Sequence, residues 1–112
     1  MNTNKIAKYL FSLFFIIAIA VHVYYVIESD GKPLWWHVLY YITYGVCWWA
    51  IFTRNKNRLI LYCAMALFPF ATHFYYAFRH LHPPDVMLAV CILVCVMLVS
   101  GFWFIRFEEK SK

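Results

Sequence analysis

The sequence predicts an all-α integral membrane protein, a four-transmembrane-helix up-down bundle made of two tandem two-helix repeats. Three observations carry that reading. The chain is 65% hydrophobic and 13% charged, with a mean hydropathy of +0.67, whereas an ordinary soluble domain is about a quarter charged. Its ten basic and five acidic residues leave four charge-free stretches, Tyr9 to Ile27, Pro33 to Thr53, Leu59 to Phe78 and Val86 to Ile105, each of 19 to 21 residues. A shift of 51 residues superposes His22-Val23-Tyr24-Tyr25 on His73-Phe74-Tyr75-Tyr76, and also Leu10 on Leu61, Ala20 on Ala71 and Pro33 on Pro84.

At a rise of about 1.5 Å per residue, each stretch spans a hydrocarbon layer of roughly 30 Å as a helix. Backbone groups in a bilayer must be satisfied within the segment, which selects helices over isolated strands. The expected helices are 6–27, 33–53, 59–78 and 86–106, in one membrane domain over 1–112, with candidate repeat units 8–55 and 59–106.

Helix 1 follows Lys5 and Lys8. Ala18-Ile19-Ala20 imitates a signal-peptide cleavage site, but the apolar run continues to Ile27, the length of a span. Helix 2 starts after Pro33, which suits a first helical turn. It carries Trp35, Trp36, Tyr40 and Tyr41 toward one membrane interface and Trp48 and Trp49 toward the other. In helix 3, Pro69 between Phe68 and Phe70 removes a backbone bond and predicts a kink below His73. Helix 4 follows Pro84, has Cys91 and Cys95 one turn apart on a single face, and ends near Trp103. The four cysteines suit helix packing better than disulfides or a soft metal.

An up-down order puts Lys5, Lys8, Arg54, Lys56, Arg58, Arg106, Lys110 and Lys112 on one side and only Lys32 and Arg79 on the other. The positive-inside rule then places both termini in the cytoplasm, in a cell inner membrane. No stretch between the spans exceeds seven residues, which excludes a soluble catalytic domain and a nucleic-acid module. The net charge of +5 therefore points to no nucleic-acid partner.

The polar side chains in the spans are the functional candidates, because ionisable groups within a membrane are costly. His22 and His73 lie at equal depth, about 7 Å below the outer helix ends. Tyr25 and Tyr76 follow each at i+3, on the same face, and His80 adds i+7. His22, Tyr25, His73 and Tyr76 are thus the candidate cofactor site. His22 and His73, with His80 and His82 in the third connection, are the candidate ligands of a transition metal ion or a haem. A quinone held by the same His and Tyr side chains is the third option. His37, beside Trp35 and Trp36, reads as a belt residue. Each histidine also has the plain reading of an interhelical hydrogen-bonding group.

No C-x-x-C-H, H-E-x-x-H or other catalytic signature occurs, so the chain does not read as an enzyme. The alternative function is a non-catalytic accessory or assembly subunit, its aromatic surface against a membrane-protein partner or a second copy, in contact with the lipid bilayer. A small proton-coupled transporter fits less well. The size is that of the small multidrug-resistance exporters, yet helix 1 has no Asp or Glu before Glu28.

Overall fold

The computed structural model describes residues 3–28 and 35–111, and within them the chain forms four helices: α1 Thr3–Glu28, α2 Trp35–Phe52, α3 Arg58–Arg79 and α4 Val86–Lys110. Pro33, with Ser29, Asp30 and Lys32, lies outside the described residues. The expected all-helical architecture is present. α1, α3 and α4 are long and apolar enough to cross a membrane. The fourth, α2, has 18 residues and no charged side chain, but its four Trp, three Tyr and His37 bring polar ring atoms that lower its hydropathy. At 26 residues, α1 is about 39 Å long.

Two tight connections fix the antiparallel order. After α2, Asn55 folds back on itself, its Oδ1 accepting the Asn57 N–H at 2.8 Å, an Asx turn that a short polar side chain favours. Before α4, Asp85 caps the helix, its carboxylate accepting the Leu88 N–H at 3.1 Å, which satisfies one of the orphan donors of a helix start. We call the end with the 53–57 turn the lower end and the end with residues 80–85 the upper end.

The buried positions follow helical periodicity. Tyr40, Thr43, Tyr44, Cys47, Ala50 and Ile51 form one face of α2, and Cys91, Val94, Leu98, Gly101 and Ile105 repeat at alternating steps of three and four along α4, the spacing of knobs-into-holes packing. On α3 the inward face is Arg58, Tyr62, Ala66, Pro69 and His73. By contrast, α1 buries only Phe11 and Phe15. α2 packs closely on α1 and α3, and α3 on α4. α1 and α3 therefore stand diagonally, and α1 meets α4 only slightly.

Single side-chain hydrogen bonds link the packed pairs. Trp48 Nε1 donates to Ser12 Oγ at 3.0 Å, Tyr40 donates to Thr72 Oγ1 at 2.6 Å, and Tyr62 donates to the Leu98 carbonyl at 2.7 Å. The last brings α3 against Gly101, where an added Cβ would overlap the Tyr62 hydroxyl. Here a glycine is required by close approach, as small residues permit at helix contacts.

The lower end is closed by a charge cluster. Arg58 is 1% exposed and its guanidinium is spoken for on all sides. It donates to Glu109 Oε1 at 2.5 Å and to Glu108 Oε1 at 2.6 Å, and also to the carbonyls of Ile51 and Thr53, each at 3.2 Å. Those carbonyls terminate α2, where a cation is favoured by the helix dipole. Lys8 reaches Glu108 from α1 at 3.5 Å. The expected end of helix 4 at residue 106 is thus one turn short: α4 continues to Lys110 because Glu108 and Glu109 have a partner inside the bundle.

Replacing Arg58 by Leu is expected to cost about 3 kcal/mol, the low end for a buried ion pair that loses one member, because both carboxylates keep part of their surface exposed. Unfolding in mild detergent by added dodecyl sulfate measures it. A loss under about 1 kcal/mol would instead put the cluster with ordinary surface pairs.

Candidate functional site

α1 and α4 touch near the lower end, where Phe11 and Phe104 pack with centroids 5.6 Å apart and Lys8 meets Glu108. Above that contact they leave a groove of about 480 Å³ between them. One wall is α1 from Leu10 to Tyr25, the other α4 from Met87 to Met97, and the lining also includes Tyr44 of α2 and His73 of α3. Its size falls in the range of small-molecule sites, about 300–1,000 Å³, and like them it is mainly apolar with a few convergent polar groups.

Those polar groups come from three helices. His22 of α1 faces His37 of α2, with their Nδ1 atoms 2.9 Å apart, so one ring donates its N–H to the lone pair of the other. The Tyr40 ring stacks on His22 at a centroid distance of 4.4 Å and meets His73 edge-on at 5.2 Å. His22 and His73 themselves stand at 6.4 Å, nearly perpendicular. His73 Nδ1 lies 2.8 Å from the Pro69 carbonyl. Tyr25 is 6.5 Å from His22 and 5.2 Å from His37.

Local sequence explains the positions. Pro69 sits four residues before His73, and α3 continues as a helix through it. Its carbonyl accepts from the His73 ring and from Thr72 Oγ1 at 3.2 Å, which fixes the imidazole and holds the hydroxyl that Tyr40 contacts. On the α1–α2 hairpin, His22 opposite His37, Phe15 near Tyr44 and Ser12 opposite Trp48 lie symmetrically about the same point of the connection. That is the register of two antiparallel helices.

Of the residues singled out in the sequence, His22, Tyr25 and His73 are therefore brought together across the bundle. Tyr76 is exposed, and its ring packs on that of Tyr75. His80 turns instead to Asp85 at 2.8 Å, and His82 is exposed in the upper connection. Among the described residues no group of three or more His, Cys, Asp or Glu is placed to hold a metal ion. An ion between His22 and His73 would have two protein ligands where structural sites usually have four. The donor set therefore favours hydrogen bonding over metal ligation, and metal binding gains no support.

Three participants escaped the sequence reading. His37 was assigned to an interfacial belt, yet it is the partner of His22. Tyr40 and Tyr44 are its neighbours on the inward face of α2. The Tyr44 hydroxyl is fully buried and has no hydrogen-bond partner among the described residues. The hairpin register would have revealed all three.

Compared with known protein families, curated proteins and solved structures, the chain matches none.

At the upper end, the His80 imidazole hydrogen-bonded to Asp85 holds its carboxyl below the usual value. A lowered carboxylate pKa stabilises the fold above the unfolded value, and that contribution is lost as the pH falls through the lowered folded value. The first turn of α4 should therefore stay capped at neutral pH and fray only in strong acid, as the pH falls through that lowered value. The protection factor of the Leu88 amide, corrected for the intrinsic exchange rate, should fall in wild type as acid protonates the Asp85 carboxyl and should not change with pH in Asp85→Asn. Protection of Leu88 that stays unchanged after the Asp85 carboxyl has been protonated, as followed by its carbon chemical shift, would contradict it.

Proposed function

We propose that the protein is an integral membrane protein, a four-helix bundle with both termini cytoplasmic in an inner membrane, and that the groove between α1 and α4 binds a lipid-soluble molecule with a small polar head. The quinone option of the sequence reading belongs to this class. The observation that carries the proposal is the groove itself: apolar walls, with the imidazoles of His22 and His73 and the unpartnered Tyr44 hydroxyl at its base.

Two features support the membrane setting. Large apolar side chains such as Leu10, Leu13, Ile17, Ile60, Leu67 and Phe78 are exposed along the helices, while Arg58, Thr43 and His73 are inside. A soluble monomer rarely exposes such continuous apolar surface. Among the described residues the charged side chains gather at the two ends, with seven of the eight basic ones at the lower end, which becomes the cytoplasmic side.

A groove open sideways between two helices admits a ligand from the hydrocarbon layer. The ligand's apolar body lies along α1 and α4, and its head reaches the polar groups nearer the upper end. Imidazole and phenol groups in that setting would otherwise remain unsatisfied, at a cost of several kcal/mol for a buried polar group.

Val21 of α1 and Val90 of α4 both line the groove and are exposed, so Val21→Trp and Val90→Trp fill it from its two walls. Protein purified in mild detergent should carry a lipid-soluble compound detectable by mass spectrometry of its organic extract. Both variants should lose that compound while keeping their helical circular dichroism. Identical extracts from wild type and both variants would overturn the reading.

A further inference from the structure

The hydrogen-bonding commitments around the groove select the chemistry of the ligand head, an inference that rests on the groove being a binding site. Tyr40 spends its O–H on Thr72 Oγ1. Thr72 in turn donates to the carbonyls of Phe68 and Pro69, at 2.9 and 3.2 Å. His22 and His37 share one hydrogen between their Nδ1 atoms. The O–H groups of Tyr40 and Thr72 are therefore committed, whereas the imidazole that accepts at Nδ1 in the His22–His37 pair keeps an N–H at Nε2, a donor that serves a carbonyl and a hydroxyl alike.

His73 is different, because its partner has no hydrogen to give. The Pro69 carbonyl can only accept, so Nδ1 of His73 carries the N–H in that bond. A neutral imidazole has one N–H, which makes its Nε2 a lone-pair acceptor. Among the described residues nothing hydrogen-bonds that nitrogen, and His73 lines the groove. Tyr44 lines it too, with a fully buried hydroxyl that has no partner and can both donate and accept.

We infer that the groove selects a ligand whose head carries a hydroxyl: a phenol or quinol rather than the corresponding quinone, ketone or ether. A hydroxyl oxygen donates its hydrogen to His73 Nε2 and accepts one from the Tyr44 O–H. A carbonyl or ether oxygen accepts from Tyr44 equally well but turns a lone pair toward the lone pair of His73. It leaves the imidazole unsatisfied, and a site built to bond a hydroxyl rejects the analogue without one far more strongly than a missing methylene.

Two probes with the same apolar body separate the cases: 4-decylphenol and 4-decylanisole, which differ by methylation of the head oxygen. Partition of each into protein-containing and empty lipid nanodiscs gives the affinities. Wild type should bind the phenol at least tenfold more tightly. His73→Asn keeps an N–H near the Nδ1 position for the Pro69 carbonyl but has nothing at Nε2, so it should bind the two probes equally. His73→Gln, which places an amide group near Nε2, should restore part of the preference. Retained helical circular dichroism in both variants keeps loss of fold apart from loss of selection.

Equal binding of phenol and anisole by wild type overturns the hydroxyl selection and leaves the groove as a site for a lipid-soluble molecule. An undiminished preference in His73→Asn also overturns it. Failure of wild type to bind either probe, together with an extract unchanged by Val21→Trp, overturns both readings.

Discussion

The buried guanidinium of Arg58 is the constraint on which the arrangement of the helices depends. It sits at the start of α3, yet its bonds run to the last carbonyls of α2 and to two carboxylates in the last turns of α4. Through Glu108 it is linked to Lys8 of α1. One side chain thus ties together the lower ends of all four helices. An unpaired charge buried there would be costly, so the bonds must form together or not at all. The geometry is that of planar, forked recognition, which lysine cannot reproduce with a single ammonium.

With the lower end closed, the helices are free to differ above it. α3 and α4 stay in contact through Tyr62, Gly101 and Leu98, and at mid-height Cys95 Sγ comes to 3.8 Å from the Phe70 carbonyl. α1 has only two buried residues and relies on α2, through Trp48 to Ser12 and His37 to His22. Its separation from α4 above Phe11 and Phe104 is what creates the groove. The large rings of Tyr40 and Tyr44 then fill the middle of the bundle, with His22 and the buried His73 packed against Tyr40 where they line the groove.

The four helices were legible because the absence of charge over about 20 residues is a signal that tertiary packing does not alter. The pairing of His22 with His73 was legible from the matching H-x-Y-Y segments, which set equal depth on parallel helices. Other features depend on contacts between helices, which linear spacing does not display. Arg58 reads as one more basic residue in a turn, because nothing near it in sequence reveals that Glu108 and Glu109 will arrive beside it. His37 is masked by Trp35 and Trp36, whose aromatic pattern suggests an interface. The 51-residue shift also misleads at this point: it sets Leu88 opposite His37 and Cys95 opposite Tyr44. The two histidines therefore acquire unlike partners, a second imidazole for His22 and a proline carbonyl for His73. That asymmetry gives the groove its separate donor and acceptor atoms.

The claim that the bundle is pinned at one end and open at the other is tested most directly by spin-label distances between α1 and α4. Labels at the exposed positions Tyr9 and Phe107 report the lower end, and labels at Tyr24 and Met87 the upper, in protein freed of its four cysteines. Pulsed electron–electron resonance should find a short, narrow distance distribution for the lower pair and a longer one for the upper pair, with Arg58→Leu broadening the lower pair. Equal separations at the two levels, or a lower pair indifferent to the loss of Arg58, would contradict the account.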